Sequence, residues 1–575
     1  MELFCGHVAI AQTKEKTTRW TLVREGLVSV YTDAGPQVAI RTLERVRTMA
    51  ELFREFGRPA VERPVRIVVF RSSAEFEQYR PSRISVGFFQ SGAEGDWIVF
   101  PASATDRVLL HEFTHLLLHR TTATLPQWLE EGLAEFFSTT RIINGYAEFG
   151  LPIPEHQRNL QFLGYLRASD LTAVRKNGIH YEEPELANRF YATSWMLVHM
   201  LYSAPRYSAN MPGFVQALDD LPSAAALPDL FRSSFGVTLD DALDEARKRA
   251  SSVNLGGGPQ RRIEVGTLDL APVPAPSPVS PTDLATLQAE LFLDRGLPDQ
   301  AARKYDEVVR IAPSAVVRDT ALGYAALASN SPNEALARFG AAVKGGTTDA
   351  RTVLEYAMLL RDSQGPASRD TVTQLLEKAV NLDPNYAEVL FLLGVRASDR
   401  QEYSKAILLL QKAVAVLPRQ SAFWHALAYA QAKTGASDEA RRSANRALRA
   451  AENLEQEEMA KALLQMEGFR NPDTSRQPAR RSATEIGSGW QNPKGDATAA
   501  GLLESLDCSA TPGPRLLVRT SSGIESFSIQ DPQNIQMEGA GTTSMEWTCG
   551  KITPQRVQVE YLRSSRKLIV LRFLH

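Results

Sequence analysis

Short apolar runs and longer amphipathic stretches alternate along the first hundred residues. "LVSVYTD" (27–33) and "VRIVVF" (65–70) are β-branched runs of strand length. Between them Val38, Ile40, Leu43, Val46, Met49, Leu52, Phe53 and Phe56 recur at helical spacing. "VGFFQS" and "DWIVFPA" flank "GAEG" and predict a hairpin. This small sheet leads directly into "RVLLHEFTHLLLHR" (107–120). There Leu109, Leu110, Phe113, Leu116, Leu117 and Leu118 point to every side of a helix, which is therefore expected to be buried all round. His111, Glu112 and His115 then need partners, since an unpaired buried polar group costs roughly 2–7 kcal/mol. Helical sequence dominates from there to about residue 253.

Residues 254–282 change character. "NLGGGPQ" and "APVPAPSPVSP" cannot form a core and predict an extended linker. The triple glycine lacks the Lys-Ser/Thr of a phosphate loop. Beyond it Ala301, Ala335, Ala406 and Ala440 hold equivalent places at steps of 34, 71 and 34 residues, and Val372 divides the longer step after an insertion near "DSQGPAS". Tyr305 and Val308, Phe339 and Ala342, Leu376 and Ala379, and Leu410 and Ala413 follow at fixed offsets, and Pro313, Pro384 and Pro418 close three units. A 34-residue helix-turn-helix period of this kind resembles the tetratricopeptide repeat, and about five units fit. After a loop rich in Pro, Ser and Arg, "PRLLVRTS", "IESFSIQD", "VQVEYL" and "KLIVLRFL" predict a small β-sandwich or barrel with its two cysteines at strand positions.

Composition narrows the function classes. A chain of 575 residues exceeds a single core, so several domains are expected. The net charge of -2, from 64 basic and 66 acidic residues, gives no reason to expect nucleic acid as a partner. No apolar run approaches the roughly 20 residues of a membrane span. "MELFCGHVAIAQ" carries an Ala9-x-Ala11 pattern as at a signal-peptidase site but lacks a basic start. Residues 1–13 fit either a signal remnant or a frayed terminus, with an extracytoplasmic location (periplasmic or secreted) favoured over a cytoplasmic one. Cys508 and Cys549 form one disulfide if the protein is exported and remain two thiols if it is not.

On a helix His111 and His115 lie about 5–6 Å apart, close enough to share an ion, and Glu112 can address a water on it. Sixteen residues on, "LPQWLEEGLAEFF" opens a second helix after Pro126 and offers a carboxylate. Two His and one Glu make a known catalytic zinc set with one place open. "HEFTH" with "WLEEGLAEF" resembles the gluzincin metallopeptidases, particularly the peptidase MA-like group, over about residues 20–250. That resemblance implies a single Zn2+ per chain held by His111, His115 and Glu131 rather than Glu130. It implies Glu112 as general base, and Glu135 as the acid that fixes a zinc-bound histidine ring. It further implies a transition-state donor on the later helix "RFYATSWMLVHML", where Tyr191 stands; simple packing of that phenol is the other reading, and His180 and His199 are weaker candidates. The longer zinc pattern with a third histidine fails at Leu118 and Thr121, and His119 is read as a helix-end residue.

The expected fold is multidomain. It comprises an α+β gluzincin-like metallopeptidase domain (14–253), a linker (254–282), an all-α tetratricopeptide-repeat solenoid (283–465), a second linker (466–495) and a small C-terminal all-β domain (496–575). The expected partners are a peptide or protein substrate, lying along "VGFFQS" or "DWIVF" by strand addition, and a protein in the repeat groove. The other reading is an inactive or metal-binding scaffold whose repeats mediate protein-protein interaction.

Overall fold

Five strands of the N-terminal region build one sheet: β1 (Thr21–Glu25), β2 (Val28–Thr32), β3 (Val65–Phe70), β4 (Phe88–Ser91) and β5 (Asp96–Pro101). In this computed structural model the described residues are 20–55, 63–121, 125–175, 178–218, 221, 226–251, 261–264, 270–466 and 497–573, the last apart from 509, 511–513, 521–522, 530–535, 539–549 and 564–565. The order is β4-β5-β3-β2-β1, with β2, β3 and β5 parallel and the other pairings antiparallel. β4 and β5 form the expected hairpin, closed by Gly92 N–H to the Gly95 carbonyl at 2.9 Å. "DWIVF" is thus an interior strand, and of the two strands expected to take substrate only β4 has an open edge.

Alternation along β3 and β5 sends residues to opposite faces. Val65, Ile67, Val69, Ile98 and Phe100 pack with the helix Pro36–Glu55 and with the histidine helix Asp106–Thr121. Arg120, in the last turn of the histidine helix, reaches Asp96 at the start of β5, a buried carboxylate also held by Arg63 at 3.1 Å. The helix that carries the motif is therefore pinned to the sheet by an ion pair as well as by its leucines.

The opposite face is covered by the repeats. Val68, Phe70, Trp97 and Val99 share a core with Leu287, Leu291 and Phe292 of the helix Pro281–Asp294. Trp97 Nε1 donates to Asp294 Oδ2 at 2.8 Å, Arg295 donates to Gln90 Oε1 at 2.9 Å and to the Tyr79 carbonyl at 2.7 Å, and Tyr79 stacks on Phe292. Five helix pairs follow one another: 281–294 with 298–311, 315–328 with 332–344, 350–364 with 369–382, 387–399 with 403–416, and 421–433 with 437–449. The helix Leu454–Gln465 comes after the last pair. Ala301, Ala335, Val372, Ala406 and Ala440 are all buried, as the period requires, and the insertion is a 3-10 turn at Gly365–Ser368. The array is a tetratricopeptide-like solenoid. Residues 1–471, repeats included, form one compact unit.

Two stretches differ from their sequence reading. The region after the histidine helix is not wholly helical: β6 (Arg141–Ile143) and β7 (Tyr146–Phe149) form a hairpin. Asn144 and Gly145 both take positive φ there, the signature of a type I′ turn. Within 254–280 the described residues, 261–264 and 270–280, are extended but attached. β8 (Arg261–Glu264) pairs with β7, β9 (Ser277–Pro278) pairs with β1, and Arg47 donates to the Ala271 carbonyl at 2.5 Å. Residues 1–13, "NLGGGPQ" and most of 466–495 lie outside the described residues.

Residues 472–575 form the second compact unit. β10 (Ala497–Asp507), β11 (Arg515–Thr520), β12 (Gly523–Ser528), β14 (Gly550–Leu562) and β15 (Lys567–Phe573) run in the order β12-β11-β10-β14-β15, with β13 (Gln536–Glu538) beside β15. A pairing of Ser528 with Lys567 joins β12 to β15 and closes a small five-stranded barrel around Leu503, Leu516, Phe527 and Val559. Cys508, expected within a strand, follows the end of β10 and is disulfide-bonded; Cys549 lies outside the described residues. Among the described residues no helix is long and apolar enough to cross a membrane.

Baring Val68, Phe70, Trp97 and Val99 would cost about 1.5–3 kcal/mol for each large side chain, a sum comparable with the roughly 5–15 kcal/mol that holds a domain folded. A chain ending at residue 282 should therefore aggregate or lose cooperative unfolding, while one ending at 466 should unfold in a single transition. Solubility and denaturant melts of the two chains check this, and a well-folded 282-residue chain would contradict it.

Candidate metal centre

Two helices bring the chemistry together. The histidine helix packs against the carboxylate helix Gln127–Ser138, which starts directly after Pro126. The carboxylate helix in turn packs against the tyrosine helix Pro184–Ser203. Their contact is close because residue 132 is glycine: a Cβ there would stand 2.4 Å from Val198 Cγ2 and 2.6 Å from the Ser194 carbonyl oxygen. Leu129, Leu133 and Phe136 on one helix and Trp195, Leu197 and Leu201 on the other are fully buried or nearly so.

Three donor atoms converge. His111 Nε2 and His115 Nε2 are 3.1 Å apart, and Glu131 Oε2 lies 3.5 Å from the first and 3.3 Å from the second. Ligands at about 2.0–2.2 Å from one tetrahedral zinc stand roughly 3.3–3.6 Å from one another, so the triangle is close to the size one ion needs. His111, His115 and Glu131 thus form a group that could hold a metal ion.

The surroundings orient these donors. His111 Nδ1 lies 3.3 Å from Glu135 Oε1, and His115 Nδ1 lies 3.5 Å from Glu130 Oε1. A proton on each Nδ1 faces a carboxylate, which leaves both Nε2 lone pairs aimed at Glu131 Oε2, a buried oxygen with no hydrogen bond of its own. Three converging lone pairs repel one another unless a cation or protons lie between them. Tyr181 donates to the other oxygen, Glu131 Oε1, at 3.0 Å, and to Gln127 Oε1 at 3.0 Å.

Charge makes the same demand. Glu112, Glu130, Glu131 and Glu135 are all buried, and among the described residues Arg107 at Glu135 and Arg419 at Glu130 are the guanidinium groups bound to them. With all four carboxylates ionised and the imidazoles neutral, two negative charges are left over, the charge of one divalent cation. The protons respond accordingly. Burial opposes charging His111, yet Glu135 and then Glu131 hold it well above the usual imidazole range. His115 is raised to about 9 against the same burial, by Glu131 and Glu130. Burial also works against Glu131, but His115 and His111 bring it down to about 2. Glu112 is pushed up by burial, against the pull of His111 and His115.

Glu112 Oε2 accepts a hydrogen bond from the Phe89 amide of β4 at 2.8 Å, so the edge strand and the histidine helix meet at that carboxylate. Beside it opens a cavity of about 600 Å³, lined by His111, Glu112, Glu135, His156, Tyr181 and Tyr191 among others. The Tyr191 ring stands 6.2 Å from the His111 ring.

All six expected site residues therefore fall in one place, and six further groups join them. Glu130, set aside at the sequence level, is bound by His115, His119 and Arg419. His119 is more than a helix-end residue: its Nε2 lies 3.4 Å from Glu130 Oε1, and its ring meets the edge of Phe89. His156 Nε2 lies 3.1 Å from Glu135 Oε2, and Arg107 donates to that oxygen at 2.7 Å. Tyr181 and Arg419 complete the set. His180 instead faces Phe190, and His199 is a core residue, 3.2 Å from the Gly150 carbonyl and packed against Trp195.

Residues 108–214 match a family model described as a protein of unknown function, DUF1570, a span that encloses the histidine, carboxylate and tyrosine helices. No curated protein matches the chain. Among solved structures it is similar to MamA, with 23% identity over 32% of this chain and 96% of that one at a TM-score of 0.23. It is also similar to TTC0263, a thermophilic TPR protein of Thermus thermophilus (19%, 32% and 100%, 0.26), and to YrrB, a TPR protein with an unusual peptide-binding site (17%, 31% and 90%, 0.25).

Gly132→Ala should push the carboxylate and tyrosine helices apart, costing roughly 1–3 kcal/mol in urea unfolding and weakening metal uptake; a wild-type midpoint would show that the helices separate freely. His199 is held neutral by burial, its pKa lowered to about 4 from 6.5. Between those values the unfolded chain binds the extra proton, so stability present above pH 6.5 is lost as pH falls to about 4. The loss should be about 2–3 kcal/mol, and urea titrations of His199→Phe should show a smaller decline over that interval than wild type.

Proposed function

We propose that the protein is a zinc-dependent peptidase whose site is His111, His115 and Glu131 with Glu112 as general base. The observation that carries this reading is the triangle of three lone-pair donors with sides of 3.1–3.5 Å, set beside a cavity and enclosed by buried carboxylates. Two imidazoles and one carboxylate are the donor set of catalytic zinc sites that keep one position open. Zinc bound there supplies Lewis acidity and lowers the pKa of water toward about 7.

The chain's own residues do the rest. Glu112 takes the proton of the attacking water and returns it to the leaving amine. The Phe89 amide fixes one oxygen of Glu112 and leaves the other for the water. Glu135 and Glu130 hold the two rings by their Nδ1 atoms, and Tyr181 restrains Glu131 so that Oε2 is the ligand oxygen. Tyr191, in the cavity wall, donates to the substrate oxygen that gains charge. Its phenol keeps its proton for this purpose, because burial and then Glu131 push its pKa well above the usual range.

The alternative, a metal-binding scaffold whose repeats hold partner proteins, is favoured by the repeat fold itself. Against a purely recruiting role stands the engagement of Glu290, Asp294 and Arg419 with the chain's own N-terminal half, which makes the repeats part of the enzyme's body.

Elemental analysis should find one zinc per wild-type chain and little in His111→Ala. Glu112→Gln should keep its zinc and lose about 10²–10⁴-fold in hydrolysis of denatured proteins or peptide libraries, with chelator abolishing the wild-type rate. Absence of zinc from wild-type protein sinks the proposal, and biological activity that survives Glu112→Gln transfers it to the scaffold reading.

A further inference from the structure

The loop between the fourth and fifth repeats reaches the metal centre. Arg419 sits in the loop between the helices Tyr403–Val416 and Ser421–Lys433, 289 residues from Glu130. Its Nη1 donates to both Glu130 oxygens, at 3.1 Å each. Glu130 is buried, and its Oε1 lies 3.5 Å from His115 Nδ1 and 3.4 Å from His119 Nε2. A carboxylate held on both oxygens by one guanidinium nitrogen, with two imidazoles at Oε1, is restrained in its rotation. The ring that leans on it is then fixed in tautomer and direction, which is what a metal-binding histidine needs from its neighbours.

Resting on the zinc reading above, we infer that Arg419 is a positioning residue of the metal centre, acting through Glu130 on His115. The repeat array therefore finishes the site that the N-terminal region begins. The fifth repeat itself supplies an internal control. Arg449, at the end of the helix Ser437–Arg449, donates to the backbone carbonyl of Leu218 and so joins the repeat to the N-terminal region without touching the donor triangle.

The test uses the full chain, with zinc affinity measured by competition against a chromophoric chelator and the visible spectrum of the cobalt(II)-loaded protein as a report on ligand geometry. Arg419→Ala should weaken zinc binding about 10–100-fold and alter the cobalt spectrum, whereas Arg449→Ala should leave both as in wild type. Glu130→Gln should weaken binding comparably, and adding Arg419→Ala to it should cause little further loss, since the two act in series. Where Arg419→Ala does not fold, Arg419→Gln replaces it with the same expectation. Wild-type zinc affinity in the Arg419 variant, an equal loss in Arg449→Ala, or additive losses in the double variant would each overturn the inference. A wild-type chain that takes up no zinc would instead overturn the peptidase reading itself.

Discussion

Four buried carboxylates around two histidines are the constraint on which the N-terminal region turns. An ionised carboxylate removed from water is tolerated only with a counter-charge or several hydrogen bonds at hand. Three of the four have them: Glu135 meets Arg107 and His156, Glu130 meets Arg419 and His119, and Glu131 meets Tyr181 and two imidazoles, while Glu112 has one amide of the edge strand and is pushed toward its protonated form by burial. The remaining deficit is positive charge at the point where Nε2, Nε2 and Oε2 converge. Chemistry and packing thus make one demand, and the leucines around the histidine helix serve both by keeping water from screening it.

The sheet has a corresponding double role. One face carries the histidine helix, and the other is the floor on which the repeats are laid. β4 joins the two. Its Phe89 amide holds Glu112, while Gln90 in the next position bonds Arg295 of the first repeat. The first contact is made by a backbone amide and the second by a side chain, so four residues of edge strand serve both the proposed base and the repeat array.

Much of this was legible in the sequence, because periodicity reports on local structure and the motif spacing reports on one helix face. The strands at 28–32, 65–70, 88–91 and 96–101, the histidine helix and the five helix pairs follow from apolar spacing. His111, His115 and Glu131 meet as their helices require. The misses have identifiable causes. "RIINGYAEF" contains Asn144-Gly145, a strong turn signal that the surrounding helical sequence obscured. β10 was hidden because "ATAAGL" is poor in β-branched and aromatic residues. Glu130 carried a usable signal, since a second carboxylate adjacent to a ligand on a buried helix must also be paired. Arg419 carried none, because only the winding of the repeats brings it to Glu130.

That separation of 289 residues also sets a schedule. At about 5–20 residues per second of synthesis, the histidine and carboxylate helices wait roughly 15–60 s on the ribosome before the arginine that secures Glu130 is made. Throughout that interval the nascent chain carries a half-furnished site. A site assembled in this order is complete only when the chain's own C-terminal half has emerged, so the distance between two charged side chains acts as a delay between translation and completion of the site.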